Sequence, residues 1–261
     1  MDNFAIVILS CDAYSDAWDY FFTCFDKFWK PKNVKKYLVS NHKECKRRDI
    51  ITICTGDEVP WSRKVRIALA DIRENNLLVL LEDYFLCREV SKNEYESLVT
   101  CFTINNYDYL RLIPIPKENM KKPNGIYPLV EKSLYGINLQ PAIWKKSFLL
   151  KILRDDDFSA WQLEALQKFG SNQRIKGNCS ATNYPVYNYV GGIIQGQWYP
   201  PAIKCLKGLG IEMVLGNRSI MSNGDLRRIQ LKAFMIEHLP ASFIAKIKPL
   251  LKKLGFKFVT E

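Results

Sequence analysis

The apolar positions of this chain fall into short unbroken runs closed by polar turns. Residues Phe4–Leu9 (FAIVIL), Lys36–Val39 (KYLV) and Ile50–Cys54 each predict a strand. Leu77 to Leu86 reads LLVLLEDYFL, with five apolar residues, then Glu82 and Asp83, then apolar residues again. Continuous runs of this length suit strands of a parallel sheet covered on both faces, and 77–82 is the central one. Between them lie helical patterns. Ser15 is placed to cap a helix with Asp16 and Asp19 in its first turn and Lys27 and Lys30 in its last, ended by Pro31. A second opens at Trp61-Ser62 and repeats apolar residues at Val65, Ala68, Leu69 and Ile72. Strand, helix, strand, strand, helix, strand is an α/β order.

Beyond residue 86 the pattern predicts a helix over Lys92–Phe102 and a strand over Tyr109–Ile113, closed by Pro114 and Pro116. A polar loop covers 117–133, a strand 134–144, and a helix Lys145–Leu153, followed by Asp155-Asp156-Asp157. Ser159 with Gln162 forms a capping box for a helix carrying Trp161, Glu164, Ala165 and Phe169. Asn188–Ile194 is the strand expected within the Asn-, Gly- and Tyr-rich stretch 171–198, and short basic helices follow from Pro200.

Composition sharpens this picture. Hydrophobic residues make up 48% and aromatics 13%, which excludes general disorder. A length of 261 residues implies one main domain, 1–198, and a basic helical appendage, 199–261. The net charge of +11 points to an anionic partner. Residues 200–261 hold 11 Lys and Arg against 4 Asp and Glu, so +7 of it sits there. The eight cysteines contain no C-x-x-C pair, and His42 and His238 lie far apart, so no zinc site and a reducing, cytoplasmic setting are expected. No apolar run approaches the ~18 residues of a membrane span. Neither G-x-G-x-x-G nor G-x-x-x-x-G-K-[ST] occurs, which argues against dinucleotide-binding and P-loop domains.

The candidate chemistry lies at strand ends, where open α/β sheets bind ligands. Glu82 and Asp83 either hold a divalent cation against a nucleotide diphosphate, touch a sugar, or simply end a strand in solvent. Asp12 follows the first strand. Arg63, Lys64 and Arg66 either bind phosphate or form a solvated helix face. A nucleic-acid binder is one alternative, but acids at the strand ends repel phosphate backbones. A nucleotidyltransferase is another, but the place of its Gly-rich phosphate loop reads CDAYSD.

Ser10-Cys11-Asp12, LLEDYF, LQPAIW and DDDFSAWQLE together resemble the GT-A-fold glycosyltransferases of bacterial capsule and O-antigen loci, over about residues 4–198. The resemblance implies a GT-A-like, mostly parallel mixed sheet flanked by helices. It further implies transfer of a sugar from a nucleotide donor, UDP-type, to a polysaccharide or lipid-linked oligosaccharide. Asp12 then matches the acid that contacts the nucleotide, with Arg63 and Lys64 helping the diphosphate. Glu82-Asp83-Tyr84 stands at the D-x-D position that holds a manganese or magnesium ion and the diphosphate, with Tyr84 departing from the pattern. Glu164 matches the catalytic base, with the acids at 155–157 competing, while Gln140, Trp144 and Trp161 would face the sugars. The basic, aromatic segment 240–258 is expected to hold such an enzyme peripherally on an anionic membrane from the cytoplasmic side, with no nucleic acid involved.

Overall fold

The computed structural model describes residues 3–115, 125–129, 136–165 and 175–238, with the side chains of 164–165, 232–233 and 235–238 outside that description. The chain divides into two compact units, Met1–Val190 and Gly191–Glu261.

The first unit is built on strands β1 (Phe4–Leu9), β2 (Lys35–Ser40), β3 (Ile51–Cys54), β4 (Asn76–Leu81), β5 (Tyr84–Leu86), β6 (Tyr109–Arg111), β7 (Ile126–Pro128), β8 (Ala142–Lys145) and β9 (Cys179–Thr182). Eight of them form one sheet in the order β3-β2-β1-β4-β8-β6-β9-β7. Strands β1, β2, β3, β4, β6 and β9 run one way, β7 and β8 the other. This is a Rossmann-like mixed sheet, mostly parallel and flanked by helices. The short β5 pairs instead with β10 (Tyr189–Gly191).

Alternation along the strands sorts the core into two layers. Ala5, Val7 and Leu9 of β1 and Leu77 and Val79 of β4 pack with Val65, Ala68, Leu69 and Ile72 of α2 (Trp61–Asp71). The same layer takes Phe148, Leu149, Ile152 and Leu153 of α4 (Lys146–Leu153). On the opposite face Phe4 meets Phe102 of α3 (Lys92–Ile104) edge to face, with ring centroids 6.0 Å apart. There Trp29, just past α1 (Trp18–Phe28), packs on Tyr95 of α3. Short α5 (Ala160–Ala165) follows α4, and its capping box forms: Gln162 N–H donates to Ser159 Oγ at 3.4 Å and Ser159 N–H to Gln162 Oε1 at 2.7 Å.

Three expectations are corrected. Ser15 does not cap a helix. The chain leaves β1 through a 3-10 helix, Asp12–Ala17, and Ser15 Oγ accepts from Lys43 Nζ at 2.8 Å. Of the strand expected over 134–144, the described residues 136–141 are not a strand and β8 begins at Ala142, with side-chain bonds from β6 holding 136–138 instead. The run 188–194 splits into β10 and β11 (Ile193–Ile194), interrupted by Gly192. Much of the loop expected over 117–133, and the whole segment 240–258, lie outside the described residues.

In the second unit, β11 pairs with β12 (Gln197–Trp198), followed by α6 (Pro200–Gly208) and α7 (Asn223–His238). Trp198 is fully buried, its Nε1 donates to the Leu215 carbonyl at 3.2 Å, and its carbonyl accepts the Met221 N–H at 3.0 Å. No helix among the described residues is long and apolar enough to cross a membrane.

Candidate functional site

Register brings the candidate residues together. Leu9 of β1 lies level with both Val39 of β2 and Leu81 of β4, so 10–12, 41–43 and 82–83 leave the sheet at one height. The chain goes from β1 to β2 on one side, then crosses by α2 to β4 on the other. That makes the carboxyl ends of β1 and β4 a topological switch point, where open α/β sheets leave a crevice.

Asn41, at the end of β2, is the hub. Its side chain is buried, and Oδ1 accepts from Lys64 Nζ at 2.9 Å and from the Asp12 N–H at 3.3 Å. Its Nδ2 donates to the Gly56 carbonyl and to Glu58 Oε2, each at 3.3 Å. Lys64 is itself buried, and among the described residues this carboxamide is the one hydrogen-bond acceptor its ammonium meets. An ammonium has three N–H donors, so two remain to offer an anion.

Glu82 is buried at the end of β4, and Asp83 is half-exposed in the turn to β5. Burial pushes the Cys11 thiol up, the Glu82 carboxylate adds to that, and Lys64 opposes it. One thiol therefore feels both charges, which places Cys11, Glu82 and Lys64 in one neighbourhood.

The carboxylate of Asp12 is engaged differently from expectation. Its Oδ1 accepts three consecutive backbone N–H groups, from Asn41 at 3.1 Å, His42 at 3.1 Å and Lys43 at 3.0 Å. Desolvation pushes its pKa up, but these three donors outweigh it and the net shift is downward. Asp12 thus fixes the loop after β2.

Arg63 and Lys64 part company. Arg63 forms a two-pronged ion pair with Asp157, and Arg66 Nη1 donates to the Asp156 carbonyl at 2.8 Å. Asp157 is held below its usual range chiefly by the Arg63 guanidinium. Buried Ser62 completes the clasp, with Oγ donating to the Asp156 carbonyl at 2.8 Å and accepting the Phe158 N–H at 2.9 Å. The acids at 155–157 therefore dock the entrance of α5 onto the first turn of α2. Trp161 is exposed on α5, and Glu164 lies on the same helix with its side chain outside the described residues.

Gln140 lies two residues before β8, and the preceding Leu139 carbonyl accepts from Tyr84 Oη at 3.1 Å, next in the chain to Asp83. Trp144 does not reach the switch point. It pairs with Leu77 toward the opposite end of β4, is fully buried, and meets Tyr109 edge to face at 4.5 Å. Its expected contact with a sugar is thereby corrected, since it presents no face to solvent. Asn41 and Tyr189, whose hydroxyl donates to Gln140 Oε1, were not singled out from sequence. Asn41 was accessible to the logic that selects Asp12, since it also ends an apolar run.

Among the described residues no three His, Cys, Asp or Glu gather as a metal site. Glu82 and Asp83 are adjacent in the chain, one buried and one half-exposed.

No protein-family model and no curated protein matches this chain. Among solved structures, Staphylococcus aureus TarS 1–349 in complex with UDP is similar at a TM-score of 0.48 and 10% identity, covering 72% of this chain and 59% of that one. HddC from Yersinia pseudotuberculosis scores 0.47 at 10% identity, covering 78% and 99%. CMP:2-keto-3-deoxy-manno-octonic acid synthetase complexed with CTP scores 0.42 at 9% identity, covering 80% and 98%. This chain thus spans less than two thirds of TarS 1–349. All three scores lie below 0.5, so these likenesses assign no activity to it.

Proposed function

We propose that this protein is a glycosyltransferase that moves a sugar from a nucleotide-sugar donor, UDP-type, to a polysaccharide or lipid-linked oligosaccharide of bacterial capsule or O-antigen type. One observation carries the reading. The buried Lys64 ammonium stands at the switch point, in the neighbourhood of Glu82, with one bond to the Asn41 carboxamide, and a diphosphate would supply acceptors for its remaining donors.

In this reading Lys64 neutralises the leaving diphosphate. Asp83 and Glu82 would hold a divalent cation, whose chemistry is to stabilise the same leaving charge. Glu164 takes the proton of the acceptor hydroxyl, and Trp161 offers that acceptor an apolar face. The 3-10 helix after β1, standing where a nucleotidyltransferase has its Gly-rich loop, supports sugar transfer over nucleotidyl transfer. The appendage, proposed as 199–261, carries the basic segment that would bring the site to a lipid-linked acceptor on an anionic membrane, peripherally at the cytoplasmic face.

Thermal-shift titration with UDP, GDP and CMP, with and without manganese, tests the donor site. Stabilisation by a nucleoside diphosphate is expected, and its absence for every nucleotide would overturn the reading. Flotation with anionic vesicles tests the tail, against a variant with Glu at Lys246, Lys248, Lys252 and Lys253. Equal indifference of both forms would make the tail structural.

A further inference from the structure

Tyr189 lies against Gln140 and Tyr84. Its hydroxyl donates to Gln140 Oε1, and its ring lies 4.2 Å, centroid to centroid, from that of Tyr84. Tyr84 is anchored in turn, its hydroxyl donating to the Leu139 carbonyl at 3.1 Å. The Gln140 N–H is tied to Asn138 Oδ1 at 3.1 Å. The backbone and the carboxamide oxygen of Gln140 are thus both committed. Its two side-chain N–H donors meet no acceptor among the described residues, and its neighbours Leu139 and Tyr189 both contact Tyr84, which directly follows Glu82 and Asp83 in the chain.

A carboxamide is a rotor whose two ends differ in chemistry, and a bond to one end fixes the other. We propose that Tyr189 is a positioning residue that locks Gln140 with its N–H donors offered to the hydroxyls of the donor's hexose. This rests on the donor-site reading above. The chemistry fits a pyranose, whose hydroxyl oxygens accept from N–H groups. The nucleoside diphosphate is held separately, around Lys64. Tyr189 and Gln140 therefore set affinity for the sugar and leave affinity for the nucleotide alone.

Calorimetric titration of UDP and GDP, and of their hexose conjugates, into wild type, Tyr189→Phe, Gln140→Met and the double variant tests this. Tyr189→Phe removes one hydroxyl and keeps the ring contact with Tyr84. The dissociation constant of the nucleoside diphosphate should stay within about twofold, while that of its hexose conjugate rises about three- to tenfold in either single variant, the range of one neutral hydrogen bond. Because Tyr189 acts through Gln140, the double variant should match Gln140→Met. Unchanged hexose-conjugate affinity in Tyr189→Phe, or losses that multiply in the double variant, would overturn the assignment while nucleotide binding persists. A wild-type protein that binds no nucleoside diphosphate would overturn the donor site itself and this assignment with it. Should Gln140→Met fail to fold, Tyr189→Phe alone decides.

Discussion

Lys64 Nζ donates to Asn41 Oδ1 at 2.9 Å, and the two side chains are only 6% and 5% exposed. An ammonium has three N–H donors, and this bond uses one of them. The other two are what an anion would meet in the proposed donor site.

Lys64→Met keeps the length of the stem and removes the charge. UDP affinity should fall at least about tenfold, since a hydrogen bond to a charged group contributes roughly 1.5–3 kcal/mol. The melting midpoint of the free protein should fall only slightly, because Asn41 Oδ1 still accepts the Asp12 N–H once the lysine is gone. Calorimetry and thermal melts read the two effects separately. Undiminished UDP binding would remove Lys64 from the donor site.

Asp12 makes a pH-dependent contribution of defined sign. Its folded pKa lies below its usual value of 3.8. The carboxylate therefore stabilises the fold above the unfolded value, and that contribution fades as pH falls through the folded one. Asp12→Asn should lower the urea midpoint at pH 7, and the gap to wild type should close in acid below that usual value. A gap that persists unchanged at pH 2 would show the loss to be steric.

In the proposed reaction Asp83 and Glu164 have separate roles. Asp83→Asn should depress turnover strongly while the melting midpoint stays near wild type, because the residue is half-exposed in a turn. Glu164→Gln should cost about 10²–10⁴-fold in turnover with donor affinity intact, as for removal of a positioned base. Steady-state kinetics with parallel UDP titration distinguishes them. An active Glu164→Gln would move the base elsewhere.

Legibility in the sequence followed burial. Strands β1 to β4 and helix α2 were readable because strands covered on both faces are continuous apolar runs and a half-covered helix is periodic. Strand β9 was not, because its residues read CSAT, with Ser180 and Thr182 buried as polar side chains. Nor were β5 and β7, at three residues each too short to show a period. Trp144 was misplaced for a related reason. An apolar run announces a strand but says nothing of which end reaches the crevice. Lys64 was named from sequence as a solvated or phosphate-facing residue of its helix, and only packing shows it to be buried. Asn41 and Tyr189 are single polar residues, and a single residue has no periodicity to read.

Arg63 was expected to help the diphosphate, yet its guanidinium is committed to Asp157. Arg63→Ala should leave UDP affinity within about twofold of wild type. Both partners are partly exposed, so the change in stability should stay within ~1 kcal/mol. A double-mutant cycle with Asp157→Ala should show the two losses to be non-additive. A tenfold loss of UDP binding in Arg63→Ala alone would restore its place at the phosphate.

Arg111 helps hold the segment that carries Gln140. It lies on β6 with no exposed surface, and its guanidinium donates to the Ile113 carbonyl at 3.0 Å, the Gly136 carbonyl at 2.8 Å and Tyr127 Oη at 3.0 Å. Its β6 neighbour Tyr109 donates to the Asn138 carbonyl at 3.1 Å, and Asn138 Oδ1 in turn accepts the Gln140 N–H. The segment 136–140 is therefore hung from β6 by side chains. Arg111→Met fills much of the volume but leaves three buried acceptors without their donor. Each such loss is worth roughly 1–3 kcal/mol, so destabilisation of about 3 kcal/mol or more is expected in urea unfolding. Arg111→Lys, which can satisfy one acceptor at a time, should fall between the two. Hydrogen exchange should locate the loosening at 136–140 before the rest of the sheet opens, since β1 and β4 do not depend on it. A destabilisation below ~1 kcal/mol, with 136–140 as protected as in wild type, would mean that the β8 ladder alone holds the segment.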